Sequence, residues 1–278
     1  MKLSSGTVYL VVATCVPGLQ AQHAIPQSAY TIAFKSFAPN NTDIFIADRD
    51  GKNARALAPS SSLDYNASFS ADGRWIAFTS HRTGFGDIYR VRPDGSGLER
   101  LTDDPAFDDQ AALSADGKSL AFMSTRSGQA DIWTLDLSTH AVRNLTNDPA
   151  GDFRPSWSPD GKWIAFSSNR GRLGTTCPNT TQPGPGAFVT PQYTEIYIVH
   201  PDGSGLRRIS DTTELAGTPH WSADGTRVVF YTVDPAEVCR GGLIFGNGTS
   251  QLVTVNLASV PVHIGFAVKL PSAKSSVN

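Results

Sequence analysis

The chain has 278 residues, with 23 Lys and Arg against 25 Asp and Glu and a formal net charge of −2. That balance offers no basic field to a nucleic-acid backbone, so no nucleic-acid partner is expected. Hydrophobic residues at 40% and charged residues at 17% suit a folded chain rather than a disordered one.

The first 21 residues read as a secretory signal peptide. Met1-Lys2 brings a positive charge, and Val8 to Val16 is an apolar run. That run is shorter than the roughly 20 residues that cross a bilayer as a helix. A cut after Ala21 leaves Gln22 as the mature start, so the expected location is extracellular, or periplasmic in a bacterium. The plain alternative is an uncleaved anchor or an unstructured start. No later stretch reads as a membrane span.

A segment then returns at a fixed interval. SADGRWIAFTSHR at Ser70–Arg82 recurs as SADGKSLAFMSTR at Ser114–Arg126 and SPDGKWIAFSSNR at Ser158–Arg170, each 44 residues on. SADGTRVVFYTVD at Ser222–Asp234 follows after a further 20-residue insert. Counting back 44 residues from Phe78 and Asp87 reaches Phe34 in TIAFKS and Asp43 in DIF, so a repeat precedes the first clear copy. Its opening strand is missing. SQLVTVNLAS at Ser250–Ser259 matches ADIWTLDLST at Ala130–Thr139 and completes a fifth repeat, weak at its end. A period in the 40s marks the blades of an all-β propeller with four strands to a blade.

Within each repeat the first strand ends at Phe69, Leu113, Trp157 or Trp221. Asp-Gly pairs (Asp72-Gly73, Asp116-Gly117, Asp160-Gly161, Asp224-Gly225) then close a tight hairpin, both residues tolerating positive φ. The second strand, W-I-A-F, is nearly all apolar, as befits a strand buried on both faces. Asp87-Ile88-Tyr89, Asp131-Ile132-Trp133 and Glu195-Ile196-Tyr197 open the third, and a short polar fourth strand lies at the outer edge. The propeller is expected over 22–260, with 261–278 a tail of no assigned structure. The array reads as a five-blade ring, an incomplete six-blade ring with one blade unrecognised, or a truncated product.

Two Pro- and Gly-rich inserts, Gly171–Thr194 and Asp234–Thr249, join second to third strands of neighbouring repeats. Each carries one of the two cysteines left after the leader, Cys177 and Cys239, and export makes a disulfide between them the economical expectation. Two free thiols are the alternative. N-x-Ser/Thr sequons at Asn40, Asn66, Asn144, Asn179 and Asn247 are glycosylation candidates in a eukaryotic source.

The run WSPDGKWIAFSSNR, followed by E-I-Y, P-D-G-S-G and R-R-I-S, resembles the repeat of the TolB-type β-propeller family. It is also similar to the propellers of prolyl-oligopeptidase-like peptidases and of oligogalacturonate lyases. The resemblance covers roughly residues 30–260. It implies an interaction module at the cell envelope or, in the lyase branch, a metal-dependent enzyme acting on an acidic polysaccharide.

The loops leaving second and fourth strands share one propeller face, which holds both inserts. Asp64, Asp108 and Asp152 recur there, as do Arg82, Arg126 and Arg170. Charges that recur in every blade read as interblade struts or bidentate Asp–Arg pairs before they read as a ligand ring. Residues that break the repeat are the better binding candidates: Phe107, Asp109, Phe153, Arg154, Glu214 and His220. Trp75, Trp157, Trp163 and Trp221 fall at repeat positions and read as core. There is no G-x-S-x-G elbow and no H-E-x-x-H, and His81 with His220 makes a poor metal set. No cofactor or metal is implied. The reading is a secreted, non-enzymatic propeller binding a protein or glycan partner, with the lyase as the alternative.

Overall fold

The repeating turn sets the local structure. Ser70 N donates to Trp75 O at 2.8 Å, and Gly73 N donates back to Ser70 O at 2.9 Å. Ser70 Oγ receives Trp75 N at 2.9 Å and donates to Asp72 Oδ1 at 2.7 Å. The same bonds recur at Ser114, Ser158 and Ser222. Of each Asp-Gly pair, only the glycine has positive φ, 68° at Gly73. This corrects the expected backbone role of the aspartate, whose side chain instead accepts from the turn.

The computed structural model describes residues 31–38, 41–48, 50–170, 194–210, 215–233, 250–257 and 263–269. These form strands joined by turns, with no helix among the described residues. Blade 1 holds β1 (Thr31–Ala38), β2 (Asn41–Asp48) and β3 (Arg55–Ala56). Blade 2 holds β4 (Asp64–Phe69), β5 (Ile76–Ser80), β6 (Asp87–Val91) and β7 (Glu99–Arg100). Blade 3 follows with β8 (Asp108–Leu113), β9 (Ser119–Ser124), β10 (Asp131–Asp136) and β11 (Val142–Asn144). Blade 4 is β12 (Asp152–Trp157), β13 (Ile164–Ser168), β14 (Glu195–Val199) and β15 (Arg207–Arg208). Blade 5 is β16 (Leu215–Trp221), β17 (Arg227–Val233), β18 (Ser250–Asn256) and β19 (His263–Lys269).

Each sheet is an antiparallel meander in chain order, and the sheets are arranged as a β-propeller. Among the described residues blade 1 has three strands, and β1 matches the second strands of the others. β19 pairs with β18 beyond residue 260 and supplies an outer strand to blade 5. No repeat motif marked it.

The second strands carry the core. Ile76 to Phe78, Leu120 to Phe122 and Ile164 to Phe166 are almost wholly excluded from solvent. Apolar clusters join blade 1 to blade 2 through Ile44, Ile46, Phe78 and Tyr89, and blade 2 to blade 3 through Ala77, Ile88, Leu113 and Phe122. Others join blade 3 to blade 4 and blade 4 to blade 5. Burying a side chain as large as phenylalanine contributes about 1.5–3 kcal/mol before entropy is counted.

Candidate functional site

The recurring charges of the insert-bearing face meet inside each blade. Arg82 Nη2 donates to Asp64 Oδ2 at 2.9 Å and its Nε to Ser80 Oγ at 2.8 Å. Arg126 treats Asp108 (2.7 Å) and Ser124 (2.9 Å) alike, and Arg170 does the same with Asp152 (2.8 Å) and Ser168 (2.9 Å). The struts expected between blades are therefore within them, and each Arg–Asp pair is joined through one carboxylate oxygen rather than bidentately. The reason is register: the aspartate opens the first strand where the arginine leaves the second. Each guanidinium also lies over two rings of its own blade, as Arg126 does over Phe122 and Trp133.

These carboxylates have no solvent exposure. Burial raises their pKa values, and the serine and arginine partners reverse this only in part. Asp152 is pushed up to about 6. Blade 5 drops the arrangement, with Ala216 opposite Thr232 where Asp152 faces Ser168.

The acids that open third strands anchor loops. Asp131 accepts from Ser127 Oγ at 2.6 Å and Asn144 Nδ2 at 2.9 Å. Asp87 accepts from Thr83 and from Arg100. Asn66 Nδ2 is likewise engaged, donating to Asp109 across blades. In the two described sequons the side-chain amide nitrogens of Asn66 and Asn144 each donate to a buried carboxylate.

The first strands differ from ordinary strands by a bulge. Pairing skips between Tyr65 and Ser68, Asp109 and Ala112, Phe153 and Ser156, and Gly217 and His220. In each bulge one residue has positive φ: Asn66 53°, Gln110 58°, Arg154 54° and Thr218 55°. Such a conformation costs roughly 1–2 kcal/mol for a residue with a Cβ, so other bonds must hold it. They run between blades. Asp109 Oδ1 accepts from Asn66 Nδ2 at 2.8 Å and Thr79 Oγ1 at 2.6 Å, both of blade 2. Arg154 N donates to Gln110 Oε1 at 2.8 Å, and Thr218 N to Ser167 Oγ at 3.1 Å. A bulge re-aims its side chain. Here it latches one blade to the next.

The structure sorts the repeat-breaking candidates. Phe153 is 4% exposed in the core between blades 3 and 4, so it packs the interface rather than lining a binding surface. Asp109 is the buried latch, its pKa raised by burial. Phe107 is half-buried and lies edge-on to His81, which bonds Tyr65 Oη at 2.9 Å. Arg154 is half-buried and His220 is exposed. His220 lies on an inner strand surrounded by protein, which lowers its pKa, and the positive charge of Arg154 lowers it further. The charge of Arg154 also acts on Asp109 and on Tyr231, a residue absent from the sequence candidates. Its signal was Gly217, the glycine that makes room for it: a Cβ there would lie 2.4 Å from the Tyr231 hydroxyl. Glu214, Cys177, Cys239, Asn40, Asn179 and Asn247 lie outside the described residues. Among the described residues no three His, Cys, Asp or Glu are grouped to hold a metal, and no helix is long and apolar enough to cross a membrane.

Comparison with known proteins bears on this arrangement. The TolB beta propeller domain family matches residues 13–125 and 106–175, together more than half of the chain. No curated protein sequence matches. Among solved structures, TolB from Acinetobacter baumannii is similar with a TM-score of 0.63 at 21% identity, over 83% of this chain and 49% of that one. A TolB-type protein from Agrobacterium tumefaciens also gives 0.63 and 21%, over 85% and 77%. The oligogalacturonate lyase of Vibrio parahaemolyticus gives 0.55 at 14% identity, over 86% and 62%. The chain spans about half the length of the Acinetobacter protein. At these identities the likeness shows the fold.

Proposed function

Because the chain belongs to the TolB beta propeller domain family, we propose that it is an exported, non-enzymatic binding module that holds a protein partner on its insert-bearing face. One observation carries this reading. The charges that recur on that face are used up within blades, while Arg154 and His220, which break the repeat along the inner strands β12 and β16, keep hydrogen-bonding capacity open to a ligand. Paired, buried ions are poor catalysts and good scaffolding, whereas repeat-breaking polar groups on a rigid inner strand suit recognition. The leader-like first 21 residues support export.

The test is selection of binding peptides from a random display library on the full chain, with the contact mapped by hydrogen exchange. Protection of the loops after second and fourth strands is expected. Protection confined to the opposite SxDG turns, or failure to select any binder, would overturn the siting. Incubation with polygalacturonate, read as the absorbance of unsaturated product, covers the lyase alternative. Cleavage that is lost in His220→Ala would replace the binding reading with an enzymatic one.

A further inference from the structure

The interblade latches break at one position. Asn66 of blade 2 finds its acceptor in Asp109 of blade 3, at 2.8 Å. Strand register puts Phe153 at the position of Asp109 in blade 4, and Gly217 there in blade 5. Arg154 is the blade 4 counterpart of Asn66, so its side chain meets a neighbour that has no carboxylate to offer. Its backbone is fixed by Gln110, but its guanidinium makes no hydrogen bond or ion pair among the described residues. Arg82, Arg126 and Arg170 all do. Two further groups lie within its field. His220, exposed on β16, has no hydrogen-bond partner among the described residues. Tyr231 places its hydroxyl over the backbone of Gly217, which any side chain at 217 would contest.

We propose that Arg154, His220 and Tyr231 form a seat for a carboxylate of a bound peptide, beside the position at which blade 5 has no counterpart of Asp109. This rests on the binding function proposed above and specifies its chemistry. A guanidinium fork matches a carboxylate, and the tyrosine hydroxyl and a neutral imidazole N–H add donors of the right kind.

The probes are acetyl-Ala-Glu-Ala-amide, its Gln counterpart, and sodium glucuronate. The readout is the His220 ring resonance of the full chain, assigned by its loss in His220→Gln. The Glu peptide is expected to move that resonance saturably at millimolar concentration. It should also raise the His220 titration midpoint, since an anion offsets the positive charge that disfavours imidazolium. The Gln peptide should do neither. Arg154→Asn keeps a residue suited to the left-handed backbone, as Asn66 shows, and should weaken the Glu peptide about tenfold or more. Arg154→Lys, which keeps the charge without the fork, should fall between. Equal shifts from the Gln peptide, or unchanged binding to Arg154→Asn, would refute the seat. Binding of glucuronate as tight as the Glu peptide would overturn the peptide assignment in favour of a sugar acid. Selected display peptides that bind the same face regardless of Arg154→Asn would leave the binding module standing and remove only this seat.

Discussion

Replacing Arg126 by methionine removes the charged partner of a buried carboxylate. Asp108 is 0% exposed and the Arg126 side chain 13%, so water does not replace the lost bond of 2.7 Å. Arg126→Met also breaks the donation to Ser124 at 2.9 Å and uncovers Phe122 and Trp133. Stranding one member of a buried pair costs about 3–5 kcal/mol, a large share of the stability of any domain. The loss should depend on pH in a definite direction. Without Arg126 the folded-state pKa of Asp108 rises further above its ordinary 3.8, so the native state keeps a proton that the unfolded chain releases. Stability of the variant should therefore recover as pH falls from the folded-state pKa towards the unfolded one, by up to about 1.4 kcal/mol per unit. The double variant Arg126→Met, Asp108→Leu removes both charges and should regain most of the loss at pH 7. Urea unfolding followed by tryptophan fluorescence reads all three. A single variant within 1 kcal/mol of the parent, or a double variant worse than the single, would show that the pair is not a buried, desolvated strut.

Gly217→Ala should lose about 1–3 kcal/mol in urea unfolding, because the new Cβ meets the Tyr231 hydroxyl at 2.4 Å; the paired change Gly217→Ala, Tyr231→Phe should restore part of it, and no restoration would deny the contact. Gly117→Ala meets nothing within 4 Å, so its expected loss of about 1 kcal/mol comes from the left-handed backbone alone, and a neutral result by thermal melting would refute that assignment. Asp152 has a folded pKa of about 6, above its unfolded 3.8, so its ionisation opposes folding as pH rises through 6 and ceases to matter below 4. Asp72 and Asp224, lowered to about 2 by the turn bonds, act oppositely and lose their contribution as pH falls from 4 to 2. The thermal midpoint is accordingly expected to peak near pH 4–5; a midpoint that climbs steadily from pH 5 to 8 would contradict this.

Much of the fold was legible because one turn is written four times. Ser70, Asp72 and Gly73 each have a separate duty in it, so the pattern tolerates little change and the period stands out. The first blade was legible through the 44-residue period, at Phe34 and Asp43. What escaped were features that backbone geometry imposes on unlike residues. Asn66, Gln110, Arg154 and Thr218 share a left-handed bulge and almost no chemistry. His263–Lys269 became a strand by pairing with β18, without any turn motif to announce it. The Arg–Asp pairs were legible as structural but not as internal to a blade, because a 44-residue spacing relates copies and says nothing of which copy an arginine reaches. Tyr231 escaped because its place depends on a missing side chain at Gly217.

The apolar clusters bind each blade to its neighbours in sequence, which makes the molecule a chain of links. In such a system the links open by local steps, and the interface between blades 4 and 5 is one of them. Arg154 and His220 stand on opposite sides of that link. A ligand that bridges them does more than occupy a surface: it clamps blade 5 to blade 4 and shifts the opening equilibrium of that link by mass action, by about 2.7 kcal/mol at a hundred times its dissociation constant. Occupancy would then be legible at a distance, as slower amide exchange along β17 and β18.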